Sequence, residues 1–362
     1  MEDPTLDITA FQQHLLSWYE SERRDLPWRR TKEPYKIWVS EVMLQQTRVD
    51  TVIPYYERFI EAFPTSESFA YANEELVLKM WEGLGYYSRV KNLQKGVREV
   101  VESYGGQVPS TRKDISKLKG VGPYTAGAVL SIAYGLPEHA VDGNVMRVLA
   151  RILLIDEDIQ LPRTRKTFEQ AVDRLISKED PSSFNQGLME LGALICKPQR
   201  PQCLLCPVQE HCIAYAQGKE TQLPVKSKKT KTRRETWQVL VVQDERGRIL
   251  IQKRPNEGLL ASLWSFPLQE QTSPQPIQPV VEHMVTKNVT NGEFLVQLKA
   301  TQPMQPVKHV FSHVTWLLNP ILIQVETLPT DWKEPFALLS IEEAKQRAFG
   351  VPFQKIIQQL ED

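Results

Sequence analysis

Residues 118–144 read LKGVGPYTAGAVLSIAYGLPEHAVDGN. Gly120 and Gly122 bracket Val121, and Pro123 follows at once. Glycine leaves the backbone bare and free to turn, and proline suits the first turn of a helix. An apolar helix is expected over 124–134, with a polar segment at 110–117 able to form a helix before it. The unit is a helix–hairpin–helix. Its tight turn and the helix N-terminus behind it point N–H groups outward, a seat for a phosphate. Asp142-Gly143-Asn144 then opens a further helix over 145–154. The carboxylate of Asp142 so lies near a helix N-terminus, which favours its ionised form. A helical hairpin that only packs has the same local pattern, so the rest of the chain must decide.

The chain has 362 residues, enough for two or three domains, with 44 Lys+Arg against 44 Asp+Glu. That balance sets up no global field, and any contact with DNA must come from local patches. Residues 1–10 lack the basic start and apolar core of a signal peptide, and no apolar run approaches the length of a membrane span. A soluble, cytoplasmic protein without a membrane partner is expected. The four cysteines fall close together as Cys196-x6-Cys203-x2-Cys206-x5-Cys212. Such clustering suits a metal site better than a spread disulfide framework. Zinc sites usually show two short cysteine pairs and only one C-x2-C is present, so the spacing favours an iron–sulfur cluster and leaves zinc open. Lys197 and Arg200, in the first loop of this stretch, could hold a phosphate.

Upstream, residues 6–20 carry a helical apolar pattern. A basic loop follows, Arg23-Arg24-Asp25-Leu26-Pro27-Trp28-Arg29-Arg30. Arginine with an aromatic can stack on and hydrogen-bond a nucleobase, although a Trp packed under a surface loop would read the same. Residues 35–63 suggest two helices broken near Pro54. Glu41 falls among Ile37, Trp38, Val39, Val42, Met43 and Leu44. A carboxylate in apolar company tends to a raised pKa, unless it sits on the wet face of its helix. Gln45-Gln46-Thr47-Arg48 is suited to probing base pairs or to solvent. Residues 81–89, WEGLGYYSR, form a glycine-hinged turn whose aromatics look exposed and able to wedge between bases, or a helix corner. Helices continue to Gly105-Gly106, and two more are expected over 165–195.

Residues 219–235 hold seven Lys/Arg, two Glu and Pro224 without apolar periodicity, which reads as a basic linker over 219–234. Beyond it the pattern changes to strands at 237–242 and 248–252, with others near 294–298, 310–317 and 321–325. Ser340-Ile341-Glu342-Glu343 opens a helix with a capping box. A multi-domain chain follows: an all-α part, residues 1–218, then an α+β part, residues 235–362.

The hairpin, the following Asp142 and the C-x6-C-x2-C-x5-C cluster together resemble the DNA glycosylases of the endonuclease III superfamily, and within it the A/G-specific adenine-excising MutY branch. Leu26-Pro27-Trp28-Arg29, SEVMLQQT at 40–47, GLGYY at 83–87, VDGN at 141–144 and Phe311-Ser312-His313 match that pattern over nearly the whole chain. The resemblance implies a six-helix barrel at about 28–135 and a lobe, 1–27 plus 136–218, in which Cys196, Cys203, Cys206 and Cys212 hold a 4Fe–4S cluster. It implies double-stranded DNA with adenine opposite 8-oxoguanine or guanine as substrate, and a monomeric base-excision-repair enzyme near the nucleoid. Carried over, Glu41 protonates the flipped adenine at N7, and Asp142 stabilises the oxocarbenium-like sugar, with Tyr124 and Asn144 supporting Asp142. Arg24, Trp28, Arg29 and Gln186 resemble the adenine pocket; some members carry Glu at the position of Gln186, a carboxylate missing here. Gln46, Thr47, Leu84, Gly85 and Tyr86 resemble the wedge and lesion contacts, with Gly120 and Gly122 in the hairpin. The chemistry agrees: adenine leaves only once a ring nitrogen is protonated, so one carboxyl must be protonated while another stays ionised.

The C-terminal part resembles a Nudix fold through Gly258-Leu-Leu-Ala-Ser-Leu-Trp-Ser-Phe-Pro267. No R-E-x-x-E-E helix follows, so a lesion-recognition module is expected, with Phe311, Ser312 and His313 as its reading residues, in place of a pyrophosphatase. The rivals are a bifunctional pyrimidine glycosylase/AP lyase, a non-catalytic mismatch-binding iron–sulfur protein and a Nudix hydrolase with a DNA-binding arm. A lyase needs an amine, which family lyases place where this chain has Tyr124.

Overall fold

The computed structural model describes residues 6–227, 232–270, 277–289 and 296–361. Of these, 6–71 and 89–227 form one compact unit, and 72–88 with 232–361 form another.

The helices run in chain order as α1 (Ile8–Glu22), α2 (Pro34–Leu44), α3 (Val49–Ala62), α4 (Ser66–Ala70), α5 (Glu74–Met80), α6 (Ser88–Ser103), α7 (Arg112–Ile115), α8 (Pro123–Tyr134), α9 (Gly143–Ile152), α10 (Pro162–Leu175), α11 (Pro181–Leu194) and α12 (Ile213–Ala216). In the second unit follow α13 (Ile277–Asn288), α14 (Ile341–Lys345) and α15 (Val351–Gln358). Short polar side chains start several of them: Asp7 accepts from the Ala10 amide, Thr111 from Asp114 and Asp180 from Ser183. Each such cap satisfies an amide with no partner inside its helix and is worth about 1 kcal/mol.

In the first unit, Phe11 and Leu15 of α1 pack with Val145, Val148 and Leu149 of α9, Phe168 and Val172 of α10, and Phe184 and Leu188 of α11. The polar segment at 110–117 condenses to the single turn α7, and α8 begins at Pro123 as expected. Gly127 is required here: a Cβ on it would lie 1.7 Å from the His139 carbonyl oxygen, so α8 can press against the chain that leads to Asp142 only without a side chain.

The expected break near Pro54 lies elsewhere. Pro54 sits inside α3, and the chain turns at 45–48, where Gln46 takes a φ of 59°. The Arg89 guanidinium donates to the carbonyls of Val42 (2.9 Å) and Met43 (3.1 Å) and to that of Gln45, which satisfies the end of α2. A distant arginine, not the local proline, ends the helix.

The second unit is a mixed sheet of β1 (Arg233–Asp244), β2 (Ile249–Lys253), β3 (Trp264–Ser265), β4 (Leu268–Glu270), β5 (Leu298–Pro303), β6 (Val307–Val310), β7 (Val314–Val325) and β8 (Phe336–Leu339). Its order is β3-β2-β1-β7-β5, with β1 and β7 parallel and Val241 opposite Leu322. Alternation along β1 feeds two cores: Val239 and Val241 join Trp316, Leu318 and Phe353 on one face, and Leu240 and Val242 join Val285, Ile323 and Val325 on the other. The strands expected at 310–317 and 321–325 are in fact one, β7, which runs through Pro320; residues 311–313 are the tip joining it to β6. Of the strand expected at 294–298, residues 294–295 lie outside the described residues, as do 228–231 of the linker and 271–274 after the Gly258–Pro267 segment. Residues 72–88 group here because Glu75 pairs with Arg347 and with Lys253 (3.4 Å), and Glu82 accepts from the Phe349 amide (2.7 Å). No helix among the described residues is long and apolar enough to cross a membrane.

Candidate active site

A cavity of about 690 Å³ opens in the helical unit. That size suits a nucleobase with its sugar. Glu41 from α2, Tyr124 from α8, and Asp142 and Asn144 at the start of α9 line it. Arg24, Trp28 and Arg29 enter from the loop after α1, Gln46 and Thr47 from the turn after α2, Gly120 and Gly122 from the hairpin, and Gln186 and Glu190 from α11.

Glu41 is buried, as its apolar neighbours imply. Burial pushes its carboxyl up to about 7; the Tyr124 hydroxyl hydrogen-bonded to Oε2 draws it down, and the negative charge of Asp142 pushes it up further. Tyr124 therefore partners Glu41, not Asp142 as expected, and its hydroxyl also meets the Met189 sulfur at 3.4 Å. The phenol is raised well above its ordinary value by burial, with both carboxylates adding to the effect, so it remains a donor.

Asp142 caps α9: Oδ1 accepts from the Val145 amide (2.7 Å) and Oδ2 from Asn144 Nδ2 (2.9 Å). Asn144 thus donates a hydrogen bond to Asp142. The expected low pKa is not found: burial raises it, and the Val145 and Asn144 hydrogen bonds only oppose that rise. The asymmetry lies in the donors. Those of Asp142 come from a helix terminus and an amide and favour a carboxylate, whereas Glu41 has one phenol.

Glu190 is a site residue that the sequence reading missed. It is 1% exposed, and both Arg24 (2.7 and 2.8 Å) and Arg29 (3.0 and 3.1 Å) grip its oxygens. Burial alone would raise its carboxyl, but the bonds from Arg24 and Arg29 carry it down to about 2. The two arginines are thereby spent on a protein carboxylate and held rigid at the cavity wall. The signal that marked Glu41 was present here also, a carboxylate among Phe184, Leu188 and Leu191 on α11. Trp28 is buried, edge-on to Tyr56 at 5.5 Å. Gln186 Nε2 bonds Ser182 Oγ at 3.1 Å.

In the hairpin, Gly120 has a φ of 82° and a Cβ there would lie 2.9 Å from Asn92 Cβ. Gly122 is the N-cap of α8, with open space where a side chain would stand, so a ligand can approach the backbone. Leu84, Gly85 and Tyr86 belong to the other unit. The aromatics of that turn are not all exposed: Trp81 and Tyr87 are buried, as is Leu84, and only Tyr86 stands out, 44% exposed. The Trp81 indole donates to the Gly85 carbonyl and the Tyr87 hydroxyl accepts from the Gly83 amide, so the turn consumes its own aromatics. At the β6–β7 tip, Ser312 and His313 are exposed with Ser312 Oγ and His313 Nδ1 3.2 Å apart, while Phe311 packs on Trp316.

Cys196, Cys203, Cys206 and Cys212 are free thiols lining one small cavity. Buried Arg151 donates to Cys196 Sγ (3.1 Å) and to the carbonyls of Lys197 and Pro198, which holds the loop; Lys197 and Arg200 themselves are exposed. Burial pushes the Cys206 thiol up to about 12 and raises those of Cys203 and Cys212. Four thiols on one cavity are a donor set for a soft metal centre.

Comparison with known proteins agrees with this geometry. The profile of the HhH-GPD superfamily base excision DNA repair proteins matches residues 39–174, and that of the NUDIX domain matches 238–359. The adenine DNA glycosylase of Rattus norvegicus is 36% identical over 98% of this chain and 79% of its own length. A thermostable thymine-DNA glycosylase of known structure is 30% identical, with a TM-score of 0.53, over 58% of this chain and 97% of that one. Endonuclease III trapped as a covalent intermediate with DNA is 26% identical, with a TM-score of 0.50, over 58% and 96%. With a helical excision domain, a Nudix-like domain following it in the sequence and relatives aligned across nearly its whole length, the chain belongs to the adenine DNA glycosylases, enzymes of the HhH-GPD base-excision-repair superfamily.

Proposed function

We propose that this enzyme removes adenine paired with 8-oxoguanine or guanine from duplex DNA, as a monomer near the nucleoid, and leaves an intact abasic site. The observation that carries the reading is the buried Glu41, held near neutrality at about 7 beside the capped Asp142. The target adenine leaves the stack, at a cost of a few kcal/mol that a mismatch lowers, and enters the cavity. Tyr124 engages one oxygen of Glu41, and the other gives its proton to adenine N7. The C1′–N9 bond breaks with its electron pair going to the base, and positive charge develops on the sugar. Asp142, as the carboxylate that the Val145 and Asn144 hydrogen bonds favour, stabilises that charge, with or without a covalent intermediate, until water adds at C1′. Arg24, Trp28, Arg29 and Gln186 shape the base pocket, and Glu190 fixes both arginines. Without an amine at Tyr124, no Schiff base forms and strand cleavage is not expected.

Cys196, Cys203, Cys206 and Cys212 would hold a 4Fe–4S cluster. Such a group, when bound, supplies a compact cross-link of the loop and an electron-transfer centre. The four thiols on one cavity and the buried Arg151 beside Cys196 support it. Gly120 and Gly122 would approach a phosphate, as would Lys197 and Arg200. Gln46, Thr47, Leu84, Gly85 and Tyr86 would meet the opened duplex, and Phe311, Ser312 and His313 would read the edge of 8-oxoguanine.

The test is incubation with duplexes carrying A opposite 8-oxoguanine, G, C or T, scoring base release apart from strand cleavage. Release of adenine opposite 8-oxoguanine and G, with breaks only after alkali, is expected. Equal release opposite all four bases, or breaks without alkali, would refute the reading.

A further inference from the structure

On the outer side of the helical unit, away from the cavity residues, His14 of α1 meets Glu210 and His211 of the short helical turn Gln209–His211. His14 Nδ1 stands 2.9 Å from Glu210 Oε1 and 3.1 Å from His211 Nε2, and His211 Nε2 is 3.5 Å from the same Glu210 oxygen. Three potential ligand atoms so form a nearly regular triangle. No cysteine sulfur belongs to it.

Hydrogen bonding does not account for all three edges. A neutral imidazole has one N–H and one bare nitrogen lone pair. If His14 Nδ1 carries the proton, that proton is shared between two acceptors, and His211 Nε2 faces the carboxylate lone pair to lone pair at 3.5 Å. If His211 Nε2 carries it and donates to His14, the His14 lone pair faces the carboxylate at 2.9 Å. If both nitrogens carry protons, two N–H donors face each other at 3.1 Å with no acceptor between them. A cation among the three lone pairs makes every edge favourable at once. Three corners of a tetrahedron around an ion bonded at ~2.0–2.1 Å lie ~3.3–3.4 Å apart. The observed 2.9, 3.1 and 3.5 Å bracket that value.

We propose that His14, Glu210 and His211 form a second metal site, for a single zinc-class divalent ion, separate from the thiol pocket. Two imidazoles and a carboxylate are a donor set for zinc and its first-row neighbours, not for magnesium or calcium, which take oxygen ligands. The site is half built and half open. His211 has a side chain 9% exposed and packs its ring on Phe11 at 5.8 Å, while His14 and Glu210 are 43% and 65% exposed. Entry is free, and a water completes the fourth position. Because Cys212 follows His211, the ion would tie the N-terminal helix to the stretch that carries the last cysteine.

The full-length chain as purified is dialysed against zinc chloride, washed, and assayed for zinc and iron, and its zinc K-edge absorption is recorded. The expected result is ~1 zinc per chain beyond the iron, with nitrogen and oxygen neighbours and no sulfur. His14→Gln and Glu210→Gln, both at exposed positions, should each weaken zinc binding ~10-fold or more while visible absorption and helix content stay unchanged. Wild-type protein that retains no zinc, zinc with sulfur neighbours, or equal affinity in both variants would overturn the proposal, leaving a hydrogen-bonded His–His–Glu cluster only.

Discussion

Two glutamates line the same cavity, both almost fully buried, and their surroundings drive them apart. Glu41 has one phenol for company and is pushed up to about 7; Glu190 has two guanidinium groups and is drawn down to about 2. Burial raises both. What differs is the charge of the donor: a neutral hydroxyl only moderates desolvation, whereas two cations with four contacts of 2.7–3.1 Å reverse it. The cavity thereby holds an acid able to give a proton near neutrality beside a carboxylate that serves as an anchor. Their effects on stability have opposite signs. Glu41 costs stability as pH rises from the ordinary carboxylate range to about 7, where the unfolded chain has lost the proton that the buried carboxyl keeps. Glu190 costs it as pH falls from the ordinary carboxylate range towards 2, where its pairs with Arg24 and Arg29 dissolve.

The comparison breaks most sharply if the two residues are made alike. Glu41→Gln removes the proton and should lower single-turnover adenine release by ~10²–10⁴-fold with mismatch binding retained. Near-normal release would reassign the acid. Glu190→Gln instead leaves two arginines unpaired at a buried wall and should cost about 3 kcal/mol of stability by denaturant titration at neutral pH. That difference should shrink as both proteins are taken towards pH 2, and a stability unchanged by the substitution would show that the pair is not an anchor.

Finer adjustments sharpen the contrast. Tyr124 draws the Glu41 carboxyl downward, so Tyr124→Phe should move the alkaline limb of the rate profile to higher pH by up to ~1 unit. A shift to lower pH would contradict the hydrogen bond's direction. The smallest effect is expected far from either glutamate. Ser312→Ala with His313→Ala should reduce the preference for 8-oxoguanine over guanine opposite adenine by the loss of one or two hydrogen bonds, ~1–2 kcal/mol, and leave the pH limb in place. An unchanged ratio of the two rates would remove the β6–β7 tip from lesion reading.

Much of this was legible in residue pattern because it is local. The hairpin glycines, Pro123 at the head of α8 and Asp142 at the head of α9 each act within a few residues, and the apolar run at 239–242 marks a strand. What escaped depends on partners distant in the chain. Arg89 decides where α2 ends, Tyr124 turns to Glu41 across 83 positions, and Arg24 reaches Glu190 across 166. The burial that lifts Asp142 is also tertiary, so the helix-end argument had the right donors and the wrong net direction. Glu190 carried the same apolar surroundings as Glu41, and only the folded chain shows that two arginines reach one and none grips the other.

The central claim is that Glu41 donates its proton from a carboxyl held near neutrality. Its most direct test is the pH dependence of adenine release under single-turnover conditions with enzyme in excess, on a duplex with A opposite 8-oxoguanine. The rate should fall about tenfold per pH unit above about 7, a limb that Glu41→Gln, with its low rate, should lack. A wild-type rate that stays level or rises between pH 7 and 9 would contradict it.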